Sequence, residues 1–220
     1  MAAVIPINSV ITKEHYIADD NIDVLTRIYD ENINLAVYKR DVTTEISRYV
    51  EAFLKHEDTF SLVQVIELNE IKDKLESVLP DYDFKSAFIS DLYNICDMFA
   101  VLFDHKKIGF RLSILEHAMC PRFHVDHILC RLLTTYGGVG TEWLAEDNLD
   151  RNKLGRGSNG KPDDASGIYA DAKQINKIDP CDIALLKGEA WPNNSGNGIV
   201  HRSPGISKTN PRLLLSLDFV

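Results

Sequence analysis

The sequence predicts an α+β fold in which N-terminal helices pack on an antiparallel sheet built in the C-terminal half. Two observations predict it. Apolar residues recur at helical spacing through much of residues 42–103, whereas after residue 107 they alternate with polar residues at the period of a strand. Several short strands then follow without intervening helices, which is typical of a sandwich or jelly roll. We expect one domain over 1–220, with a mainly helical elaboration at 1–104 and a β core at 105–220.

The N-terminal half mixes short strands with amphipathic helices. Asn69 is a predicted N-cap, and Pro80 ends the helix that follows it. The last helix of this half carries a stripe of aromatic and aliphatic residues, which indicates packing against a sheet. The predicted strands are 33–38 and 60–66, and the predicted helices are 42–56, 69–78 and 84–103.

The C-terminal half is predicted to be extended chain around one long polar connection. Residues 145–170 are rich in glycine and polar residues. Such a segment inside a domain is often a lid or a specificity loop, and a disordered insertion is the equal alternative. The predicted extended segments are 108–114, 121–136, 173–178, 182–187, 198–202 and 212–219.

Charge and composition restrict the class of partner. The net charge is −9: residues 1–104 carry 9 basic and 20 acidic residues, and residues 105–220 carry 15 and 13. The second half is too weakly basic for a general nucleic-acid groove but suits a small anion. No apolar run approaches a membrane span, and the N-terminus lacks a signal-peptide pattern. Four scattered cysteines suit a reducing compartment, so we expect a cytoplasmic protein.

His124 and Asp126 form an H-x-D pair in a segment that reads as extended chain. In a strand, residues two apart face the same way, so both side chains can reach one metal ion. A second match, His56 and Asp58, ends a predicted helix, where residues two apart diverge. We therefore interpret His56 as a surface histidine and His124 and Asp126 as metal ligands.

His201 and Arg212 complete an ordered set near the end of the sequence. Two imidazoles and one carboxylate can bind one face of Fe(II) and leave the other positions open. An arginine following the second histidine is what an acidic, metal-chelating cosubstrate would require. The set therefore predicts an iron-dependent oxygenase.

Over residues 108–220 this order of residues resembles the Fe(II)/2-oxoglutarate-dependent oxygenases, whose core is a double-stranded β-helix. More narrowly, the chain is similar to the bacterial family called domain of unknown function 1826. Its three matching motifs are Cys120-Pro-Arg-Phe-His-Val-Asp126, Arg131-Leu-Leu-Thr-Thr-Tyr136 and Gly140-Thr-Glu-Trp-Leu144.

The resemblance implies that His124, Asp126 and His201 bind iron, that 2-oxoglutarate chelates it, and that Arg212 pairs with the far carboxylate. Many of these enzymes have serine two residues after the arginine, but this chain has Leu214. A second cosubstrate anchor must then come from elsewhere. Thr134 and Tyr136 are the candidates, because on an unbroken strand they share a face with the H-x-D pair.

Two alternatives stay open at this point. Cys120, His124, His127 and Cys130 contain the ligand types that zinc prefers, which would make a metal-holding or sensing protein without turnover. A cupin-like lyase or isomerase is a third option. The substrate, a small molecule or a peptide, and the oligomeric state are not specified by the sequence.

Overall fold

The structure, a computed structural model, describes residues 15–220, and ten strands form its two sheets. The strands are β1 (Tyr16–Asp19), β2 (Leu35–Tyr38), β3 (Ser61–Glu67), β4 (Lys107–Leu115), β5 (Cys130–Gly137), β6 (Glu142–Trp143), β7 (Asn176–Lys177), β8 (Ile183–Lys187), β9 (His201–Arg202) and β10 (Arg212–Asp218). The large sheet has the order β1-β2-β8-β5-β10-β4-β3, and the small sheet has the order β7-β6-β9. Neighbouring strands are antiparallel except β1 and β2.

The large sheet is not confined to the C-terminal half, which corrects the expected division. β3 pairs with β4 through seven residues, and β2 pairs with β8 through four, so the N-terminal half supplies three of its strands. The physical reason is that the core strands β4 and β8 would otherwise leave unpaired edges, which the earlier segments cover.

The predicted helices form with small shifts in their bounds. They are α1 (Thr44–His56), α2 (Ile71–Val78) and α3 (Lys85–Phe103), followed much later by the single turn α4 (Asp163–Ser166). Thr43 caps α1, since its side chain accepts the Ile46 N–H. The predicted Asn69 cap is wrong, because a 3-10 turn at Leu68–Glu70 leads straight from β3 into α2 and leaves Asn69 inside the turn.

The helices cover one face of the large sheet. Phe88, Leu92 and Phe99 of α3 pack in one buried cluster with Phe110 of β4 and Leu215 of β10. By length and composition alone α3 could cross a membrane, but this buried stripe explains its apolar character. The aromatic stripe is therefore core packing, as the sequence predicts.

The small sheet covers part of the opposite face. Leu133 and Leu186 of the large sheet meet Trp143 and Ile199 from the small-sheet side in a second buried cluster. The two sheets thus form a sandwich with a separate interior on the side away from the helices. Residues 145–170 pack through Ile168 and other apolar side chains in a third cluster.

Residues 145–170 are folded rather than a disordered insertion. They contain 3-10 turns and α4, and their two ends are held together by the buried amide of Asn148. The Asn148 carbonyl oxygen accepts the N–H groups of Ala170 and Asp171 at 3.1 and 2.9 Å, and its amide donates to the Asp171 carbonyl at 2.9 Å. One buried side chain thereby closes the base of the segment.

Candidate metal centre

His124 and His201 are joined through their backbones. Each N–H donates to the other residue's carbonyl at 3.0 Å, which forms an isolated antiparallel bridge next to β9. Directly opposed residues in such a pair project their side chains to the same face. The imidazole rings consequently meet, with their centroids 4.6 Å apart.

The stretch before β5 is irregular, which corrects the predicted strand over 121–136. A regular strand begins only at Cys130, and His124 makes a single bridge. The backbone of this stretch hydrogen-bonds to the turn after β8 and does not pair with a neighbouring strand as a regular strand would. The Asp126 carbonyl accepts the Glu189 N–H at 2.9 Å, and the Leu129 carbonyl accepts the Gly188 N–H at 2.9 Å.

Gly188 permits this close approach. A Cβ atom at this position would lie 2.7 Å from the Asp126 carbonyl oxygen and even closer to that of Ile128. Contacts that short do not occur in folded proteins, so a larger residue would push the Asp126 segment away. The position of Asp126 therefore depends on a residue more than sixty positions later in the chain.

Three side chains converge on one point. The ligand atoms of His124, Asp126 and His201 all lie within 4.8 Å of one another. Nε2 of His124 is 3.6 Å from Oδ1 of Asp126, and Nε2 of His201 is 3.6 Å from Oδ2. Two atoms bound to one ion at about 2.1 Å lie at most about 4.2 Å apart, so both distances fit a shared metal.

The Nδ1 atoms of the two histidines determine which ring nitrogen faces the centre with a free lone pair. Nδ1 of His124 lies 2.9 Å from the Arg122 carbonyl, and Nδ1 of His201 lies 3.1 Å from the Ile199 carbonyl. A carbonyl only accepts, so each Nδ1 carries the proton and each Nε2 offers its lone pair to the centre. This arrangement is typical of histidines that bind metals.

The electrostatics favour a cation among these groups. Burial lowers the pKa of His201 to about 4, so its imidazole is neutral near pH 7. Burial opposes ionisation of Asp126, but the two imidazoles and the Arg131 guanidinium beside it outweigh burial and lower its pKa to about 2. The neighbouring Asp126 carboxylate raises the pKa of His124.

Arg131, which the sequence reasoning missed, contacts Asp126 directly. Its Nη1 donates to Oδ2 of Asp126 at 2.6 Å, while Nε and Nη2 donate to Asp218 at 2.7 and 3.0 Å. The role of Arg131 could not be predicted from the sequence alone, because it depends on the pairing of β5 with β10, which places Arg131 opposite Asp218.

Arg212 is buried in the sandwich interior, with 1% of its surface exposed. Its Nε and Nη2 donate to the Thr135 hydroxyl at 3.0 and 2.7 Å, and Nη2 also donates to the Thr141 hydroxyl at 2.6 Å. Within residues 15–220 no carboxylate pairs with it, and burial lowers its pKa to about 10. A buried cation without a counter-ion is costly, which indicates a place for an anion.

Thr134 and Tyr136 do not share this interior, so the prediction that they face the site is wrong. Thr134 lies opposite Leu215, whose side chain is in the helix-side cluster, and Tyr136 donates to Asp91 of α3 at 2.5 Å. The prediction assumes that side chains alternate between the two faces without interruption from His124 onward. The irregular stretch before Cys130 interrupts this alternation. Leu214 packs against the cluster between the two sheets.

Asp163 connects residues 145–170 to both ligand segments. Its Oδ2 accepts the Phe123 N–H at 2.9 Å, next to His124, and accepts from Arg202 at 2.9 Å, next to His201. Arg202 also pairs with Glu142 at 2.8 Å. The segment thus braces the outer side of the centre.

The residues proposed for zinc are not brought together. Cys130 is fully buried on the helix side, whereas Cys120 and His127 are exposed at the surface. Within residues 15–220 the cluster suited to a metal consists of His124, Asp126 and His201. A zinc site at the C-x3-H-x2-H-x2-C residues therefore has no support in the structure.

Comparison with solved structures finds several proteins to which the chain is similar at low sequence identity. It is similar to a rice dioxygenase for auxin oxidation, at 10% identity, a TM-score of 0.47 and coverage of 85% of this chain and 73% of that one. It is also similar to a Pseudomonas putida prolyl-4-hydroxylase, at 10% identity, a TM-score of 0.45 and coverage of 89% and 96%. A collagen prolyl hydroxylase of Paramecium bursaria Chlorella virus-1 matches at 9% identity and a TM-score of 0.41, with coverage of 84% and 94%.

No curated protein matches the sequence. A family model does match, and it covers residues 19–218. The chain therefore belongs to the family described as protein of unknown function DUF1826.

Proposed function

We propose that this protein is an Fe(II)- and 2-oxoglutarate-dependent oxygenase that hydroxylates a small molecule or a peptide. The observation that carries the proposal is the buried guanidinium of Arg212, which has no carboxylate partner within residues 15–220, together with the cluster of His124, Asp126 and His201. A three-residue metal site alone suits several chemistries. A three-residue site with a separate buried anion receptor suits a cosubstrate that bears two acidic groups.

The proposed architecture of the core is a double-stranded β-helix. After α3 the chain alternates between the sheets: β4 joins the large sheet, the His124 bridge extends the small one, and β5 returns to the large one. β6 and β7 then belong to the small sheet, β8 to the large one, β9 to the small one and β10 to the large one. This order brings His124 and His201, 77 positions apart, side by side, as the metal centre requires.

The donor set favours iron over metals that prefer sulfur. Two imidazoles and a carboxylate occupy one side of a site and leave open positions, which is typical of non-haem Fe(II) oxygenases. When bound, iron and 2-oxoglutarate supply the activation of dioxygen for attack on an unactivated C–H bond. The protein supplies the geometry and an apolar interior.

Arg212 would bind the far carboxylate of the cosubstrate. Its Nε and Nη2 are already directed by Thr135 and Thr141, while its Nη1 has no hydrogen-bond partner within the described chain. The planar fork suits a carboxylate, and burial strengthens a charge-assisted pair. Thr135 and Thr141 thus take the positioning role that the sequence left open because of Leu214.

An anaerobic titration tests this function. Purified protein stripped of metal is mixed with Fe(II) and then with 2-oxoglutarate, and the visible metal-to-ligand charge-transfer band is recorded. We expect a band in the unaltered protein, none in His201→Ala, and one that requires far more 2-oxoglutarate in Arg212→Met. Tight Fe(II) binding without any band would contradict the oxygenase and support a protein that only holds metal.

A further inference from the structure

We propose that Arg131 is the positioning residue of the metal centre, because it holds the Asp126 carboxylate in place while Asp218 holds Arg131. The inference rests on the proposed function only so far as that function places a divalent metal at His124, Asp126 and His201. It needs neither 2-oxoglutarate nor turnover.

One guanidinium joins two carboxylates here. Arg131 donates from Nη1 to Oδ2 of Asp126 at 2.6 Å, and it binds Asp218 in a two-point contact from Nε at 2.7 Å and from Nη2 at 3.0 Å. The two-point contact fixes the plane of the guanidinium, so Nη1 can point in only one direction. All three side chains are three-quarters buried or more.

The backbone shows why such a hold is needed. Arg131 and Asp218 are directly opposed residues on β5 and β10, near the centre of the large sheet. Asp126 instead lies on the irregular segment before β5, where no strand ladder orients its side chain. Arg131 therefore transfers the rigidity of the sheet to the one ligand that lacks it.

The contact reaches the carboxylate oxygen that also faces His201. Oδ2 of Asp126 accepts from Arg131 at 2.6 Å and lies 3.6 Å from Nε2 of His201, while Oδ1 lies 3.6 Å from Nε2 of His124. Arg131 therefore fixes the orientation of the carboxylate between the two imidazoles. The local charge also suits a divalent ion, because two carboxylates and one guanidinium sum to −1.

Lysine in place of Arg131 separates charge from geometry. It keeps the positive charge but cannot span both carboxylates with a fixed fork. We would measure the affinity of Arg131→Lys and Asp218→Asn for Co(II) and Fe(II) anaerobically, together with the Co(II) absorption spectrum and the melting temperature of the metal-free proteins. Arg111→Lys is the matched control, because Arg111 lies on β4, on the other side of β10, and has no ion pair within residues 15–220.

We expect Arg131→Lys to bind metal about 10- to 100-fold more weakly and to change the Co(II) spectrum. Asp218→Asn should also weaken metal binding, but less. Since both residues act through one contact, the fold-loss of metal affinity in the double variant should be smaller than the product of the two single fold-losses. Arg111→Lys should bind metal as the unaltered protein does.

An unchanged affinity and an unchanged Co(II) spectrum in Arg131→Lys would overturn the inference, whatever the melting temperature does. A metal-free state that melts earlier with intact metal binding would make Arg131 a structural ion pair. Absence of metal binding by the unaltered protein would overturn both this inference and the proposed function. Normal Co(II) behaviour without a 2-oxoglutarate band would overturn the proposed function alone.

Discussion

His124 and His201 donate their backbone N–H groups to each other's carbonyl oxygens, at 3.0 Å in both directions. The spacing of the two imidazoles is therefore set by the main chain. Side-chain packing contributes less, since His124 is only half-buried. A substitution that removes one imidazole should consequently leave this bridge, and the fold around it, in place.

Replacement of His201 by alanine should abolish tight metal binding without unfolding the protein. We expect the affinity for Fe(II) to fall by more than about 100-fold, because the protein loses a direct ligand. His127→Ala is the matched control, since His127 is exposed and adjacent to Asp126 but outside the cluster. Equal iron content in both purified variants, measured by elemental analysis, would remove His201 from the site.

Replacement of Arg212 by methionine should have opposite effects on stability and on cosubstrate binding. The buried guanidinium has no counter-ion, so an apolar side chain of similar length should stabilise the ligand-free protein by about 1–4 kcal/mol. Binding of 2-oxoglutarate, measured by calorimetry, should be lost while metal binding persists. Unchanged 2-oxoglutarate affinity would refute the assigned role, and Arg111→Met controls for general loss of charge.

Alanine at Gly188 should weaken metal binding through the backbone. The added Cβ would collide with the carbonyl oxygens of Asp126 and Ile128, so the segment that carries Asp126 must shift. We expect a lower metal affinity and a lower melting temperature. Gly205→Ala is the control, because a Cβ there meets no atom within 4 Å. The backbone argument fails if both variants bind metal equally well.

Asparagine at Asp163 should loosen both ligand segments at once. The substitution keeps an acceptor for the Phe123 N–H but removes the charge that holds Arg202. We expect a loss of about 1–3 kcal/mol in the free energy of unfolding and weaker Fe(II) binding. Asp164→Asn, which alters an exposed neighbour, should change neither quantity. A loss of stability without any change in Fe(II) affinity would show that the contacts of Asp163 do not influence the metal ligands.

Stability should depend on pH through Lys187, which is not among the metal ligands. Burial lowers the pKa of this amine, which donates to the Asp30 carbonyl at 2.9 Å and lies 5.0 Å from the Trp191 ring. Between this lowered pKa and 10.5, the pKa used for the unperturbed amine, the unfolded chain binds more protons than the folded one. The unfolding free energy of the protein should therefore rise with pH relative to Lys187→Met.

Urea unfolding at several values from pH 7 to pH 10 would measure this difference. Lys55→Met serves as the control, because Lys55 is an exposed lysine on α1. A constant difference in unfolding free energy between the unaltered protein and Lys187→Met across this pH range would contradict the lowered pKa of Lys187.

The helices were predictable because their signal is local. The periodicity of residues 42–56 and 84–103 reproduces α1 and α3 to within two residues, and the exposed His56 at the end of α1 matches its interpretation. The order of His124, Asp126, His201 and Arg212 was also readable, since residue type and sequence order need no knowledge of distance. The structure brings the first three together and buries the fourth.

The remaining features depend on contacts that no short window of sequence contains. Strand parity failed for Thr134 and Tyr136 because the chain from His124 to Cys130 follows the turn after β8. Thr135 and Arg131 acquire their roles only when β5 pairs with β10. Asp163 was hidden for a similar reason, since its partners lie about forty residues away in either direction.

The place of β10 between β5 and β4 has a consequence for synthesis of the chain. Both neighbours leave the ribosome long before β10, and until it arrives the large sheet is two separate halves. β10 also brings Arg212 and Asp218, at its two ends. A nascent chain therefore has neither the anion receptor nor the anchor of Arg131.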